Sequence, residues 1–282
     1  MGLGRNCCIT LFPMLGTCVT IALVVVMLLG ATPKAPGLKD VYYLRLDLSN
    51  ATSSAFTGSD TTLTSSVDNL IQSALSDMGV ANYYDVGVSG YCAGTLSDGK
   101  TSNETCYTPE IPFWFDVESI IDDQLNGFTI VLPDDVQDYL NIVKGCSKAM
   151  WVIYIIGAIL TVLTLFSGLF SFHSKGVTVC VSFLAFLSAI FIVVASAIGT
   201  AMFSIFSHYF NNEVEKYGIS ADVNSKGLAI TWIASAAAIW TFVWWVVAIC
   251  IGSTHRRRNM AEEKQPFIGY VPQQHGNPYN HY

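Results

Sequence analysis

Four stretches of the chain, about 9–31, 149–172, 177–203 and 228–252, contain no Asp, Glu, Lys, Arg or His. As an α-helix each is long enough to cross the roughly 30 Å of bilayer hydrocarbon. The pattern therefore predicts four membrane spans. The first stretch could be read instead as a cleaved signal peptide, with Arg5 before it and Gly30 and Ala31 at its end. Its apolar run is longer than the roughly 7–15 residues of a signal-peptide core, so a retained span is the expectation.

Between the first two spans the pattern changes. VYYLRLDLSN alternates, with Tyr42, Leu44, Leu46 and Leu48 on one side and Arg45 and Asp47 on the other, as a half-buried strand does. Residues 51–62 are rich in Ser, Thr and Ala and read as loop. Leu63, Val67, Leu70, Ile71, Ala74, Leu75 and Met78 then fall at helical spacing. A second strand signal lies in NYYDVGVSGYC and a third around TCYTP. After Pro109 and Pro112, Val117, Ile120, Ile121 and Leu125 repeat with a helical period. Pro133 followed by Asp134 and Asp135 resembles a helix start, with acids at the positive end of the dipole, and that helix runs toward the second span.

The expected architecture is a membrane α-helical fold, a four-helix transmembrane bundle with a small extracellular α+β domain. Its parts are an N-terminus at 1–8, spans at 9–31, 149–172, 177–203 and 228–252, an outer domain at 32–148, a turn at 173–176, a simple outer loop at 204–227, and a tail at 253–282. The turn HSKG is so short that the second and third spans must be antiparallel neighbours. The tail is polar and poor in aliphatic residues, and is expected to be disordered.

Composition agrees: the 282 residues are 52% hydrophobic and 12% charged, with a mean hydropathy of +0.46. That balance is foreign to an ordinary soluble domain. Orientation is harder, because Lys and Arg near the span ends are evenly divided between the two sides. The dense cluster Arg256, Arg257 and Arg258 directly after the last span breaks the tie, since such a cluster suits anionic cytoplasmic lipid. Segment 32–148, by contrast, holds 16 acidic and 6 basic residues. The Asn-x-Ser/Thr sequons at Asn50 and Asn103 also lie there, as candidate glycosylation sites. So do Cys92 and Cys106, the two cysteines well clear of any span. Both termini are thereby expected in the cytoplasm and 32–148 outside.

Candidate chemistry is sparse. Pumps and ion pathways usually place ionisable groups inside the bundle, and these spans carry none, which argues against active transport. No nucleophile elbow, phosphate loop or dinucleotide fingerprint occurs. The five histidines have no metal-ligand spacing and the cysteines form no C-x-x-C. No enzyme activity, cofactor, metal or nucleic-acid partner is expected. Small residues recur four apart at Ala195/Gly199, Ser196/Thr200, Ala197/Ala201 and Ala234/Ala238, a spacing that lets helices pack closely within the bundle.

Cys92 and Cys106 are the expected disulfide, with pairings of either to Cys146 left open. Cys7 and Cys8 are juxtamembrane candidates for palmitoylation. Cys18, Cys180 and Cys250, within spans, read as small apolar packers. Trp151 reads as an interface residue, and Trp240, Trp244 and Trp245 as anchoring and packing residues in the inner half of the last span.

The segments GVSGYCAGTLSDGKTSNETCY, AIGTAMF and KYGISADVNSKGLAITWIASAAAIW, with the order of one span, an outer domain and three further spans, resemble the fungal Sur-seven/PalI family over roughly residues 9–252. That family is distantly related to the claudins. Where claudin-like proteins carry Gly-Leu-Trp before their paired cysteines, Gly87, Val88, Ser89, Gly90 and Tyr91 lead into Cys92 here, and the cysteine gap is longer. The resemblance implies a left-handed four-helix bundle capped by a small outer sheet, with Cys92 and Cys106 as its disulfide. It implies a plasma-membrane protein that organises eisosome or cortical patches and supports cell-wall integrity and endocytosis, or alternatively an accessory of ambient-pH signalling. The partners it implies are membrane lipids, other membrane or cortical proteins, further copies of the chain, and the cell wall.

Overall fold

The computed structural model describes residues 3–33, 36–49, 81–97, 100–107, 134–171, 175–214 and 218–263. Four long helices dominate it: α1 (Leu3–Leu29), α2 (Asp134–Phe170), α3 (Lys175–Val214) and α4 (Ser225–Glu263). They pack as a ring, α1 against α2 and α4, and α3 against α2 and α4. Each contains a segment long and apolar enough to cross a membrane. Large apolar side chains such as Leu15, Ile159, Phe183 and Val243 point outward from every helix. A bundle that is apolar on its outside as well as its inside is built for a lipid solvent.

The helices outrun the membrane on one side. The apolar segment of α3, Gly176–Asn212, is 37 residues long, about 55 Å at the helical rise, against roughly 30 Å of hydrocarbon. Its surplus is accounted for by the sheet. Five strands, β1 (Leu44–Asp47), β2 (Tyr83–Val86), β3 (Tyr91–Ser97), β4 (Lys100–Tyr107) and β5 (Ser220–Val223), form an antiparallel sheet in the order β4-β3-β2-β1-β5. Leu44, Leu46, Tyr84, Val86, Tyr91 and Ala93 on one face join a single core with Met150, Phe203, Phe206 and Phe210 of the helices.

The edge strand β5 is held by α3. Asn211 accepts a hydrogen bond from the Ala221 N–H (2.7 Å) and donates one to its C=O (3.1 Å), as a neighbouring strand would. The chain then enters α4 through Asn224, whose side chain caps Lys226 N–H (3.0 Å) and also donates to the Asp40 carbonyl (3.0 Å). Gly227 lies so near the Tyr42 carbonyl that any Cβ there would collide with backbone. Only glycine permits α4 to start at that point.

Several expectations change. Segment 204–227, read as a simple outer loop, carries the end of α3 and all of β5. SADV is too short to announce a strand, and its partner Leu44–Asp47 is far away in the chain. The tail, expected to be disordered from 253, continues as α4 to Glu263 because the helix propagates past the last apolar turn. NYYDVGVSGYC is two strands joined by a turn closed by Gly87 N–H to Gly90 O (2.9 Å). Tyr42, grouped with the leucines of β1, lies instead over Arg45. The backbone turns just before the strand, so Tyr43 is the residue that is buried. The helix expected at 63–78 and the helical period at 117–125 lie outside the described residues.

Candidate functional site

The part of the molecule richest in specific polar chemistry is the junction where the sheet sits on the bundle. Tyr43, fully buried, enters the helices from just ahead of β1 and stacks on Phe203 with ring centroids 5.0 Å apart. Its hydroxyl donates to Thr231 Oγ1 (2.9 Å) and shares a hydrogen bond with Tyr154 Oη (3.1 Å). Tyr154 also meets Thr231 and Ser196 (3.1 Å), and Ser196 meets Ser235 (2.8 Å). Five buried hydroxyls from α2, α3, α4 and the β1 lead-in thus satisfy one another. Gly199 makes room beside them, for a Cβ there would press on Met150 Sδ at 2.7 Å.

The opposite face of the sheet carries a second set. Register places Asp222, Arg45, Asp85, Cys92 and Cys106 in one row across all five strands. Arg45 grips Asp85 through two hydrogen bonds of 2.6 Å and lies 5.0 Å from the ring centre of Tyr42 and 4.8 Å from that of Tyr83. Asp85 is buried. Burial pushes its carboxyl up to about 6, with the Arg45 hydrogen bonds pulling the other way. The same contacts push Arg45 higher still, so it remains a cation. A further pair, Lys39 with Glu104 (3.4 Å), ties the segment after α1 to β4.

Cys92 and Cys106 form a disulfide between β3 and β4, with Cα atoms 3.9 Å apart. Cys146 is a free thiol on α2, so neither alternative pairing occurs. Asn103 lies on β4, where Asn103 and Glu104 together oppose Gly94 in a bulge. Asn50 lies outside the described residues. Cys7 and Cys8 fall on α1, and Arg256, Arg257 and Arg258 on the last turns of α4. Their side chains, like that of Asn103, are outside the described set. The expected site residues are therefore spread over both ends of the molecule, and only the cysteine pair is brought together.

The three intramembrane cysteines correct an expectation. Cys18, Cys180 and Cys250 are exposed on the outside of the bundle instead of packing within it. Of the small-residue pairs, Ala195/Gly199 and Ala234/Ala238 face inward, Ser196 is buried with Thr200 partly so, and Ala197 and Ala201 face out. Trp245 is fully buried, Trp240 is half exposed, and Trp151 Nε1–H donates to Ser89 at the sheet (3.3 Å).

Among the described residues, Cys92, Glu104 and Cys106 are grouped closely enough to hold a metal ion. With both sulfurs in a disulfide they offer no thiolate, and the cluster does not fit one. The hydroxyl network is composed of mutually satisfied neutral groups. Its chemistry is positioning.

The sequence pattern alone does not single out Tyr43, Tyr154, Thr231 or Asp85. Tyr43 and Asp85 sit in strand-like text whose alternation assigns sides without saying what each side meets. A tyrosine and a threonine inside apolar helices are the available signal for the other two.

Comparison with known proteins gives one consistent result. The model of the SUR7/PalI family matches residues 9–244. SUR7 family protein pun1 of Schizosaccharomyces pombe is 24% identical, over 85% of this chain and 94% of its own. Protein PUN1 of Saccharomyces cerevisiae is 23% identical, over 79% of this chain and 84% of its own.

Proposed function

The chain belongs to the SUR7/PalI family, and on that premise we propose that it is a non-enzymatic plasma-membrane organiser of the eisosome or cortical-patch type. In this role it supports membrane-domain structure, cell-wall integrity and endocytosis. The sheet lies outside, facing the cell wall, and both termini lie in the cytoplasm. The bundle packs laterally with lipid, with other membrane or cortical proteins, or with further copies of itself.

The observation that carries the proposal is the self-satisfied polar network inside the bundle. Tyr43, Tyr154, Ser196, Thr231 and Ser235 saturate one another across three helices and the sheet. No described span presents a charged group inward, which supports a scaffold over a carrier. The outward faces are apolar and include Ala197 and Ala201, a spacing at which another helix can approach. Topology in this reading follows from Arg256 to Arg258 against inner-leaflet lipid, and from the sequons at Asn50 and Asn103.

Imaging of a fluorescently tagged chain in living cells tests the proposal. Stable, slowly exchanging surface puncta are expected; a uniform surface signal or an internal one would refute it. Placement of the sheet outside is tested separately by a glycosidase-sensitive mobility shift that disappears in the Asn50→Gln/Asn103→Gln protein.

A further inference from the structure

Among the described residues one group of side chains brings together the donor atoms of a metal site while two of them are bonded to each other. The sulfurs of Cys92 and Cys106 and the carboxylate of Glu104 all lie within 4.8 Å of one another. Closed as a disulfide, the sulfurs cannot bind a metal. Where they lie once opened is fixed by the sheet. Cys92 and Cys106 are direct partners in the β3–β4 ladder, with Tyr91 opposite Tyr107 on one side of them and Ala93 opposite Thr105 on the other. The rings of Tyr91 and Tyr107 stack with centroids 5.2 Å apart and brace the same pairing. Directly opposite residues of an antiparallel pair keep their Cβ atoms about 4.5–5.5 Å apart without any covalent link. From that spacing two thiolates can converge on one ion at a metal–sulfur distance of about 2.3 Å.

The third donor is also held in place. Glu104 stands two residues before Cys106 on β4, and Lys39 grips both its carboxylate (3.4 Å) and its backbone carbonyl (3.4 Å). Asp85, beside Cys92 in the register, is occupied by Arg45 and stays out of the ligand set.

The two sulfurs differ in access: Cys92 is fully buried and Cys106 is partly exposed. A thiolate from outside therefore attacks Cys106 Sγ, and the S–S bond breaks to release Cys92 as the leaving thiolate. The second thiol of the same reductant then displaces Cys106. Two electrons and two protons pass to the protein, which gains two thiols, and the dithiol reductant closes to its own disulfide.

We propose that Cys92, Cys106 and Glu104 form a redox-gated zinc site, sealed while the disulfide is closed and available once a dithiol has opened it. On binding, the ion displaces the two thiol protons, takes the carboxylate as its third ligand and leaves the fourth position to water. Two thiolates with one carboxylate suit zinc, whereas calcium and magnesium take oxygen ligands. The ligands carry three negative charges against the two of the ion, and the Lys39 ammonium beside Glu104 balances the one left over. The site belongs to the sheet alone and stands apart from the organiser role.

Cobalt(II), a spectroscopic substitute for zinc, tests the site in the full chain in detergent. After treatment with a non-chelating phosphine reductant, cobalt should give a sulfur-to-metal charge-transfer band. The band should vanish in Cys92→Ser/Cys106→Ser and persist in Cys146→Ser. Glu104→Gln should weaken binding by about tenfold or more, the loss that follows removal even of an outer partner of a metal ligand. A reduced chain without the band, or a band that survives in Cys92→Ser/Cys106→Ser, would overturn the proposal; a band in the oxidised chain would overturn the gating. Thermal unfolding gives an independent arm, because metal binding contributes directly to folding. Zinc should raise the Tm of the reduced chain, even where reduction loosens the sheet, and leave that of the oxidised chain unchanged. A reduced chain whose Tm is indifferent to zinc would count against the site.

Discussion

In the sheet the buried polar group is a charge: Asp85 meets the partly exposed Arg45 at 2.6 Å, with Arg45 over two tyrosine rings, in the row that ends in the Cys92–Cys106 disulfide. In the bundle the buried polar groups are hydroxyls, with Tyr154 touching Tyr43, Ser196 and Thr231. The two regions share one core, so the contrast reflects the solvent from which each is assembled. A strand domain folding in water can bring two charges together and close a disulfide in an oxidising compartment. A helix in lipid has no water from which to take a charge, and neutral hydroxyls are the polar groups it can bury at small cost. Specific alignment is achieved ionically and covalently on one side of the junction, and by many weak bonds on the other. Substitutions should therefore have large single effects in the sheet and small distributed ones in the bundle.

The largest effect is expected from Asp85→Ala, which leaves the Arg45 guanidinium in the sheet without its partner. About 3 kcal/mol of stability should be lost, measured by denaturant or thermal unfolding in detergent, since Arg45 keeps part of its contact with solvent. The paired replacement Arg45→Met/Asp85→Leu should recover most of it, because the burial of the Asp85 charge is itself costly. If the double variant is as unstable as the single one, the ion pair is more than a device for alignment.

Removing the disulfide as Cys92→Ala/Cys106→Ala should cost about 3 kcal/mol, the value for a closed loop of about 15 residues. The loss should be confined to the sheet. Protease sensitivity should rise at 91–107 while the four helices stay protected. Cleavage appearing first within the spans would contradict an independently braced sheet.

A smaller effect follows from the buried carboxyl. Asp85 binds its proton more tightly in the folded sheet, where its pKa is about 6, than in the unfolded chain, where it is 3.8. Its contribution to stability is thus full below the unfolded value and is lost as pH rises through about 6. Between pH 7 and pH 5 the protein should gain about 1 kcal/mol from this group. Asp85→Asn, neutral at every pH, should flatten that part of the stability profile, and an unchanged slope would assign the dependence elsewhere.

This contrast also explains which parts were legible in the sequence. The spans are readable because lipid forbids charge along more than twenty consecutive residues, a constraint written locally. β1 is readable from Leu44 to Leu48 because one face is wet and the other dry. β5 is not, since Ser220–Val223 is a strand only because Leu44–Asp47 pairs with it on one side and Asn211 holds it on the other. Cys92 and Cys106 could be matched by their position, whereas Asp85 gave no sign of burial in strand text that also holds Tyr83 and Tyr84. The hydroxyl network was invisible for a different reason. Ser and Thr are common in membrane helices, and only the three-dimensional approach of α2, α3 and α4 separates those that bond between helices from those that bond back to their own.

The smallest effect, and the one that bears most directly on how the two regions join, is expected from Tyr154→Phe. This change removes one oxygen from the centre of the network and leaves the ring that fills the space. In water-soluble cores the loss of a buried hydroxyl making several bonds is often severe, because its partners are left unsatisfied. Here Tyr43 still donates to Thr231, and Ser196 and Ser235 still bond each other and the carbonyls of Ile192 and Thr231. Each partner keeps another bond, so the cost should be near the roughly 0.6 kcal/mol found for interhelical hydrogen bonds in lipid. Adding Tyr43→Phe removes the one hydroxyl that comes from the sheet side. That double variant should lose more than the sum of the two single changes, because Thr231 then has neither tyrosine as a partner. Strict additivity in a double-mutant cycle would mean that the two tyrosines act separately, and that packing of Tyr43 on Phe203, with no hydrogen bonding, holds the sheet to the bundle.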